Sequence, residues 1–173
     1  SFYYSLTQYD LLTPPQFVGL KNYWEVLGFA LRDGVLKPND PDFWTALRNT
    51  VVYAGGALGI TLPSSFMVAW LLNSKLKGMT VYRAIFYIPV VASTVGVSLV
   101  WYWIYKQQSG VLNFFISQII QGINWIVGPL GVAIQDPNIG WLIDSRWALV
   151  SLIIMTSWAT IGYDMVIFLA ALQ

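Results

Sequence analysis

Few residues in this chain could do chemistry. It contains no histidine and no cysteine, which removes imidazole bases, thiol nucleophiles, Cys/His metal sites and disulfides together. No catalytic or metal-ligating constellation remains. The set that keeps a pattern is Thr156, Thr160, Tyr163 and Asp164, spaced i, i+4, i+7 and i+8 along one face of a helix. The residues around them, including Leu152, Ile153, Ile154, Ile161 and Val166, are apolar. Such a stripe exchanges hydrogen bonds rather than breaking covalent ones. A neutral polyhydroxyl solute suits it: sugar hydroxyls trade with Thr, Tyr and Asp, and aromatic faces stack on sugar C–H surfaces. Asp164 leaves two other roles open, a hydrogen bond to a neighbouring helix or a place near a membrane interface.

The elements that must hold this stripe are read from where charge is missing. Of 173 residues, 57% are hydrophobic and only 10% charged, against about a quarter in soluble domains. An ordinary soluble enzyme and a disordered chain are both disfavoured. A net charge of +1 offers nothing to nucleic acid. The aromatic content of 16% suits the interfacial belts of membrane proteins. Uncharged runs cover Asn49–Ser74 and Ala84–Tyr105, and a third run follows Arg146 with Asp164 as its one charge. Each is long enough to cross about 30 Å of hydrocarbon. They predict three transmembrane helices, at 49–74, 84–105 and 147–173. A fourth uncharged run, Gln107–Gln135, is broken by Gly110, Gln118, Gln121, Asn124 and Pro129. It reads as a short amphipathic helix at an interface, with a fourth span as the competing reading.

Orientation follows from Lys and Arg. The connection 75–83 carries Lys75, Lys77 and Arg83 and no acid, which places it in the cytoplasm. The leading segment 1–48 and the connection 106–146 are then external, and Ser1–Leu6 reads as the outer end of a preceding helix. Within the first span, Gly55 and Gly59 form a small-xxx-small pair, and Pro63 should bend the helix unless neighbours compensate. The second span carries Pro89, Ala92, Ser93, Thr94, Gly96 and Ser98. Generic helix packing explains these small residues more readily than solute contact.

Short motifs add a resemblance. Ser5-Leu6-Thr7 with Tyr9-Asp10 comes first. Phe17-Val18-Gly19-Leu20-Lys21-Asn22-Tyr23 and the run from Phe43 through Leu47-Arg48-Asn49-Thr50 to Tyr53 follow. Then come Leu72-Asn73, Lys77-Gly78, Tyr82-Arg83, Pro89, Ser93, Gly110-Val111-Leu112-Asn113, Trp158, Gly162 and Leu172-Gln173. In this order and topology the chain resembles the permease subunit of bacterial carbohydrate-type, binding-protein-dependent ABC importers, the group of the maltose and glycerol-phosphate systems. The resemblance implies an all-α polytopic bundle in the bacterial inner membrane. It also implies a second permease subunit, two ATPase subunits that hold ATP and Mg, and an external solute-binding protein, with no cofactor in this chain. Carried onto this sequence, it makes Thr156, Ala159, Thr160 and Tyr163 sugar contacts; Asp164 departs from the apolar residue usual there. The external stretches Gly28–Pro41 and Gln118–Pro137 are longer than in the plainest members. The family's cytoplasmic EAA…G loop is expected just after Gln173. A scaffold that only anchors partners, and a channel or secondary transporter, are the other readings. A membrane enzyme is the least favoured, because the loop acids Asp136 and Asp144 suit turns and caps.

Overall fold

The structure, a computed structural model, describes every residue except 1, 11, 33, 75–77, 132 and 173. Lys75, Lys77 and Gln173, used above for orientation and motif, lie outside the described residues. Among the described residues there are seven α-helices and two small antiparallel ribbons. The chain divides into two compact units, residues 1–52 and 53–173.

The first unit holds α1 (Phe2–Ser5), β1 (Thr7–Gln8), β2 (Gln16–Phe17), α2 (Lys21–Leu27), β3 (Phe29–Arg32) and β4 (Val35–Pro38). β1 pairs with β2, Thr7 opposite Phe17. β3 pairs with β4, Phe29 opposite Pro38 and Leu31 opposite Leu36. Gly34 supplies the positive φ, 74°, between β3 and β4. Side-chain amides tie the pieces together. Asn22 donates to the carbonyls of Ser5 and Thr7 at 2.9 and 3.0 Å, and Asn39 donates to that of Trp24 at 3.1 Å. Asp10 closes a turn by accepting from the Thr13 hydroxyl and backbone N–H. The hydroxyl bond, then the N–H bond, hold its carboxyl below the usual range.

α3 (Pro41–Leu72) begins in this unit and ends in the second. It starts ahead of the uncharged run because Asp40 and Pro41 start it. The Asp40 carboxylate accepts the Phe43 N–H at 3.0 Å, and proline at the first helical position loses no hydrogen bond. The helix passes through Pro63 without ending.

The second unit contains the rest of α3, α4 (Met79–Val91), α5 (Thr94–Tyr105), α6 (Val111–Val127), a 3₁₀ turn Gly128–Leu130 and α7 (Ser145–Ala171). α7 starts where Asp144 accepts the Arg146 N–H at 2.9 Å, as an N-cap. The stretch 84–105, expected as one transmembrane helix, is carried by two helices, bent by 96° at Ala92–Ser93. Both residues are extended, with ψ of 147° and 131°. Pro89 has already removed one bond of the ladder, and Ser and Thr compete with the helix for backbone partners. At 1.5 Å per residue the two legs run about 20 and 18 Å, so the bent pair still reaches about 26 Å end to end.

α7 is the spine of this unit. Thr61, Ser65, Ala69 and Leu72 form the buried stripe of α3. Ala69 and Leu72 meet Met165 and Leu169 in one apolar cluster. The Ser65 hydroxyl donates to the Ile161 carbonyl at 3.2 Å. On another side of α7, Gly162 admits α4 so closely that a Cβ there would lie 2.1 Å from the Phe86 carbonyl oxygen. Arg83 donates to the Leu72 carbonyl at 2.9 Å and so closes the C-terminal end of α3. Among the described residues, two helices are long and apolar enough to cross a membrane, or three if the bent pair is one span. Only 11% of the most apolar stretch of α3 and 28% of that of α7 are buried within the chain. Helices this apolar and this bare need lipid or partner helices around them.

Candidate functional site

The bend between α4 and α5 opens a cavity of about 350 Å³ against α7. Pro89, Val90 and Ala92 line it from the α4 side, Thr94, Val97 and Ser98 from α5, and Met155, Thr156, Ala159, Thr160 and Tyr163 from α7. Four of the five predicted contact residues therefore share one wall. One hydroxyl bond comes from another helix, and the others stay within their own helices. The Tyr53 hydroxyl donates to Thr156 Oγ1 at 2.9 Å. Thr160 Oγ1 donates to the Thr156 carbonyl at 2.9 Å, and Ser98 Oγ to the Thr94 carbonyl at 2.8 Å. Tyr163 is 56% exposed. No side chain caps the start of α5, so its first N–H groups lack the side-chain acceptor that a cap would supply. The cavity thus combines hydroxyls, an uncapped helix end and apolar walls, a lining chemically suited to hydrogen-bonding neutral groups.

Asp164 is not among the lining residues. It is half-buried and makes no hydrogen bond or ion pair with a described residue. The glycines also sort differently from their spacing. A Cβ at Gly55 or Gly59 would meet nothing within 4 Å in this chain, whereas one at Gly56 would press on Ile153. Gly96 lies in the first turn of α5, its nearest neighbour the Ser93 Cβ at 4.0 Å. Pro89 stands in the cavity wall, and Pro63 is exposed on α3. Val90, Ala92, Thr94, Val97, Ser98 and Met155 also line the cavity, and none of them was among the predicted contact residues. The run Ala92-Ser93-Thr94 after a proline carried a signal, but in sequence alone it reads more readily as helix packing.

The motif Gly110-Val111-Leu112-Asn113 has a structural role. A Cβ at Gly110 would lie 2.1 Å from the Lys106 carbonyl, so only glycine permits that reversal. Asn113 is buried and joins three segments. It donates to the carbonyls of Gln107 and Ile139, each at 2.9 Å, and accepts from Trp141 Nε1 at 2.8 Å. A string of rings, Trp158, Trp101, Tyr105, Trp141 and Trp147, continues from there with centroid spacings of 5.0–5.9 Å. It fixes the ends of α5 and α7 to the loop before α7.

The apolar, sparsely self-buried helices and the hydroxyl-lined break define an all-helical polytopic membrane protein. Comparison with known proteins makes the class narrower. The chain is 33% identical, over all of its length and 48% of the relative, to the probable ABC transporter permease protein y4oQ of Sinorhizobium fredii. It is 34% identical over 78% of its length and 41% of the relative to the lactose transport system permease protein LacF of Rhizobium radiobacter. Against the probable starch degradation products transport system permease protein AmyD of Thermoanaerobacterium thermosulfurigenes, identity is 28% over 99% of the chain and 49% of the relative. The chain is similar along its whole length to ABC transporter permeases, as part of such a permease would be. It spans about half the length of the curated relatives it matches. No family model and no solved structure matches it.

Proposed function

We propose that this chain forms part of the translocation pathway of an ATP-driven, binding-protein-dependent importer for a sugar or related polyol. The observation that carries this reading is the cavity at the α4–α5 bend, where the hydroxyl stripe of α7 faces a broken helix. Irregular backbone at membrane depth persists where it is buried in protein or lines a water-filled space, and broken helices mark solute sites in other transporters. A hydroxylated solute would exchange hydrogen bonds with Thr156, Thr160, Tyr163 and Ser98. Relatives whose names state lactose, starch degradation products and arabinooligosaccharides support a saccharide.

The working assembly would pair this subunit with a second permease subunit, two ATPase subunits binding ATP and Mg, and an external solute-binding protein in the bacterial inner membrane. This chain would do no covalent chemistry. Residues 75–83 would face the cytoplasm, and 1–48 and 106–146 the outside. Tyr163→Ala in the complete transporter is expected to lower uptake at unchanged membrane abundance; unchanged kinetics would take Tyr163 out of the pathway. A cysteine replacing Asn39 should react with a membrane-impermeant thiol reagent added outside, and one replacing Lys77 should not. Reversed labelling would overturn the orientation.

A further inference from the structure

A second cavity, of about 630 Å³, lies beside the N-terminal half of α6 and shares no lining residue with the one at the α4–α5 bend. Its wall is chemically unlike a helix-packing gap. Gln108, Gln118 and Gln121 line it and make no hydrogen bond with a described residue. Phe114 and Phe115, 59% and 57% exposed, set their rings at 70° to one another. Asp136 completes the wall with a carboxylate held in place on both oxygens. The Ser117 hydroxyl donates to Oδ2 and the Asn138 N–H to Oδ1. Asn138 takes a φ of +36° in that turn, a conformation asparagine tolerates.

The lining sorts the ligand classes. Among the described residues no Lys or Arg lines the cavity, so an anion meets no counter-charge there. One carboxylate, with no three-acid cluster among the described residues, is a poor cage for a divalent cation. Free amides donate and accept at once, a fixed carboxylate accepts from hydroxyls, and aromatic faces cover C–H surfaces. That combination fits a neutral polyhydroxyl ring.

We infer that the cavity formed by Gln108, Phe114, Phe115, Gln118, Gln121 and Asp136 is an outer saccharide-binding subsite, separate from the α4–α5 cavity. It deepens the importer reading and rests on it for the external position of residues 106–146. A sugar held there would be concentrated at the outer face before entering the pathway.

The test uses the complete transporter in right-side-out vesicles, with reactive cysteines removed from all of the assembly outside these 173 residues, which contain none. Ser109→Cys, at the cavity wall and exposed, is labelled by a membrane-impermeant maleimide with and without lactose or maltotriose, the solute-binding protein being absent. At a sugar concentration ten times its Kd, labelling should slow about tenfold. A cysteine replacing Leu12, 92% exposed, should label at one rate throughout. Asp136→Asn, which keeps the shape of the turn, should raise the half-protecting sugar concentration about tenfold. Unchanged labelling of Ser109→Cys with both sugars overturns the inference. So does protection that requires the solute-binding protein, because the cavity is then a protein docking surface. Uptake of the same labelled sugars, measured in the same vesicles loaded with ATP and now supplied with the solute-binding protein, separates the two readings. Uptake without protection removes the subsite and leaves the importer; protection without uptake does the reverse.

Discussion

Substituting Gly162 by alanine should separate α4 from α7. A Cβ at this position would sit 2.1 Å from the Phe86 carbonyl oxygen and 2.9 Å from its carbonyl carbon. Ordinary contact needs about 3.4 Å, so the two helices must part by about 1.3 Å. Both colliding atoms are backbone, and neither can rotate away. The cost belongs near the top of the overpacking range, about 3 kcal/mol. Alanine returns about 1 kcal/mol of helix propensity, which leaves a net loss of about 2 kcal/mol. For a body of this size that lowers Tm by about 4–8 °C. Gly56→Ala is the control. Its Cβ would lie 2.8 Å from Ile153 Cδ1, the far end of a flexible side chain. A rotamer shift of about 1 kcal/mol is then offset by the same propensity gain, so Tm should stay put. The assay is thermal melting of the complete transporter in detergent, followed by tryptophan fluorescence, beside uptake in vesicles. Val90 borders both Gly162 and the α4–α5 cavity, so uptake should fall with stability for Gly162→Ala alone. Equal melting of the two variants would refute the reasoning.

Asn113→Ala should cost about 2–4 kcal/mol, because it strands the buried Trp141 N–H and two backbone carbonyls together; the same melting assay reads it, and a shift under 2 °C would count against the account. Tyr53→Phe deletes the hydroxyl that donates to Thr156 and should cost about 1 kcal/mol while altering the apparent KM for uptake. The Asp136 carboxyl is held below its usual range first by the Ser117 hydroxyl and then by the Asn138 N–H. Its folded pKa lies below the unfolded one, so its contribution is present above the unfolded value and is lost as pH falls through the folded one. The window therefore opens below the ordinary aspartate value of 3.8. Ser117→Ala should flatten any loss of ordered structure around 134–139 on acidification, followed by amide exchange.

Helix identity was legible where charge is absent, since burying or solvating a charge in hydrocarbon is costly. Charge gaps do not see ψ angles. The Asn49–Ser74 run marks the apolar part of α3, yet the helix is started by Asp40-Pro41, a capping signal already written in the sequence. The run Ala84–Tyr105 is uniformly apolar, so its 96° break leaves hydropathy untouched. Small-xxx-small spacing selected Gly55 and Gly59, but which glycine meets a backbone is decided by tertiary placement, and here it is Gly162. On α6 the polar residues that bond elsewhere are Asn113, Ser117 and Asn124. Their partners, Trp141, Asp136 and Ile134, lie far along the chain, beyond any local pattern.

The stripe on α7 gains meaning from what stands opposite. Four hydroxyl-bearing or small positions on a straight helix could equally serve as adhesive between helices, each bonded to a neighbour's backbone. In this chain Thr160 and Ser98 satisfy themselves on their own helices, and Thr156 is met by one tyrosine. Tyr163 stays exposed. Hydroxyls that spend their hydrogen bonds at home do not hold α5 to α7. What holds those helices lies nearer the other end of α5: ring contact of Trp101 against Trp158, and the Tyr105 hydroxyl donating to the Ser151 carbonyl at 3.0 Å. The gap between them at the bend is therefore not closed by polar attraction, and a solute with hydroxyls of its own could occupy it without breaking a helix–helix bond. Adhesive would instead bridge α5 and α7 through Ser98 or Thr160, and a double-mutant cycle on that pair should return a coupling indistinguishable from zero.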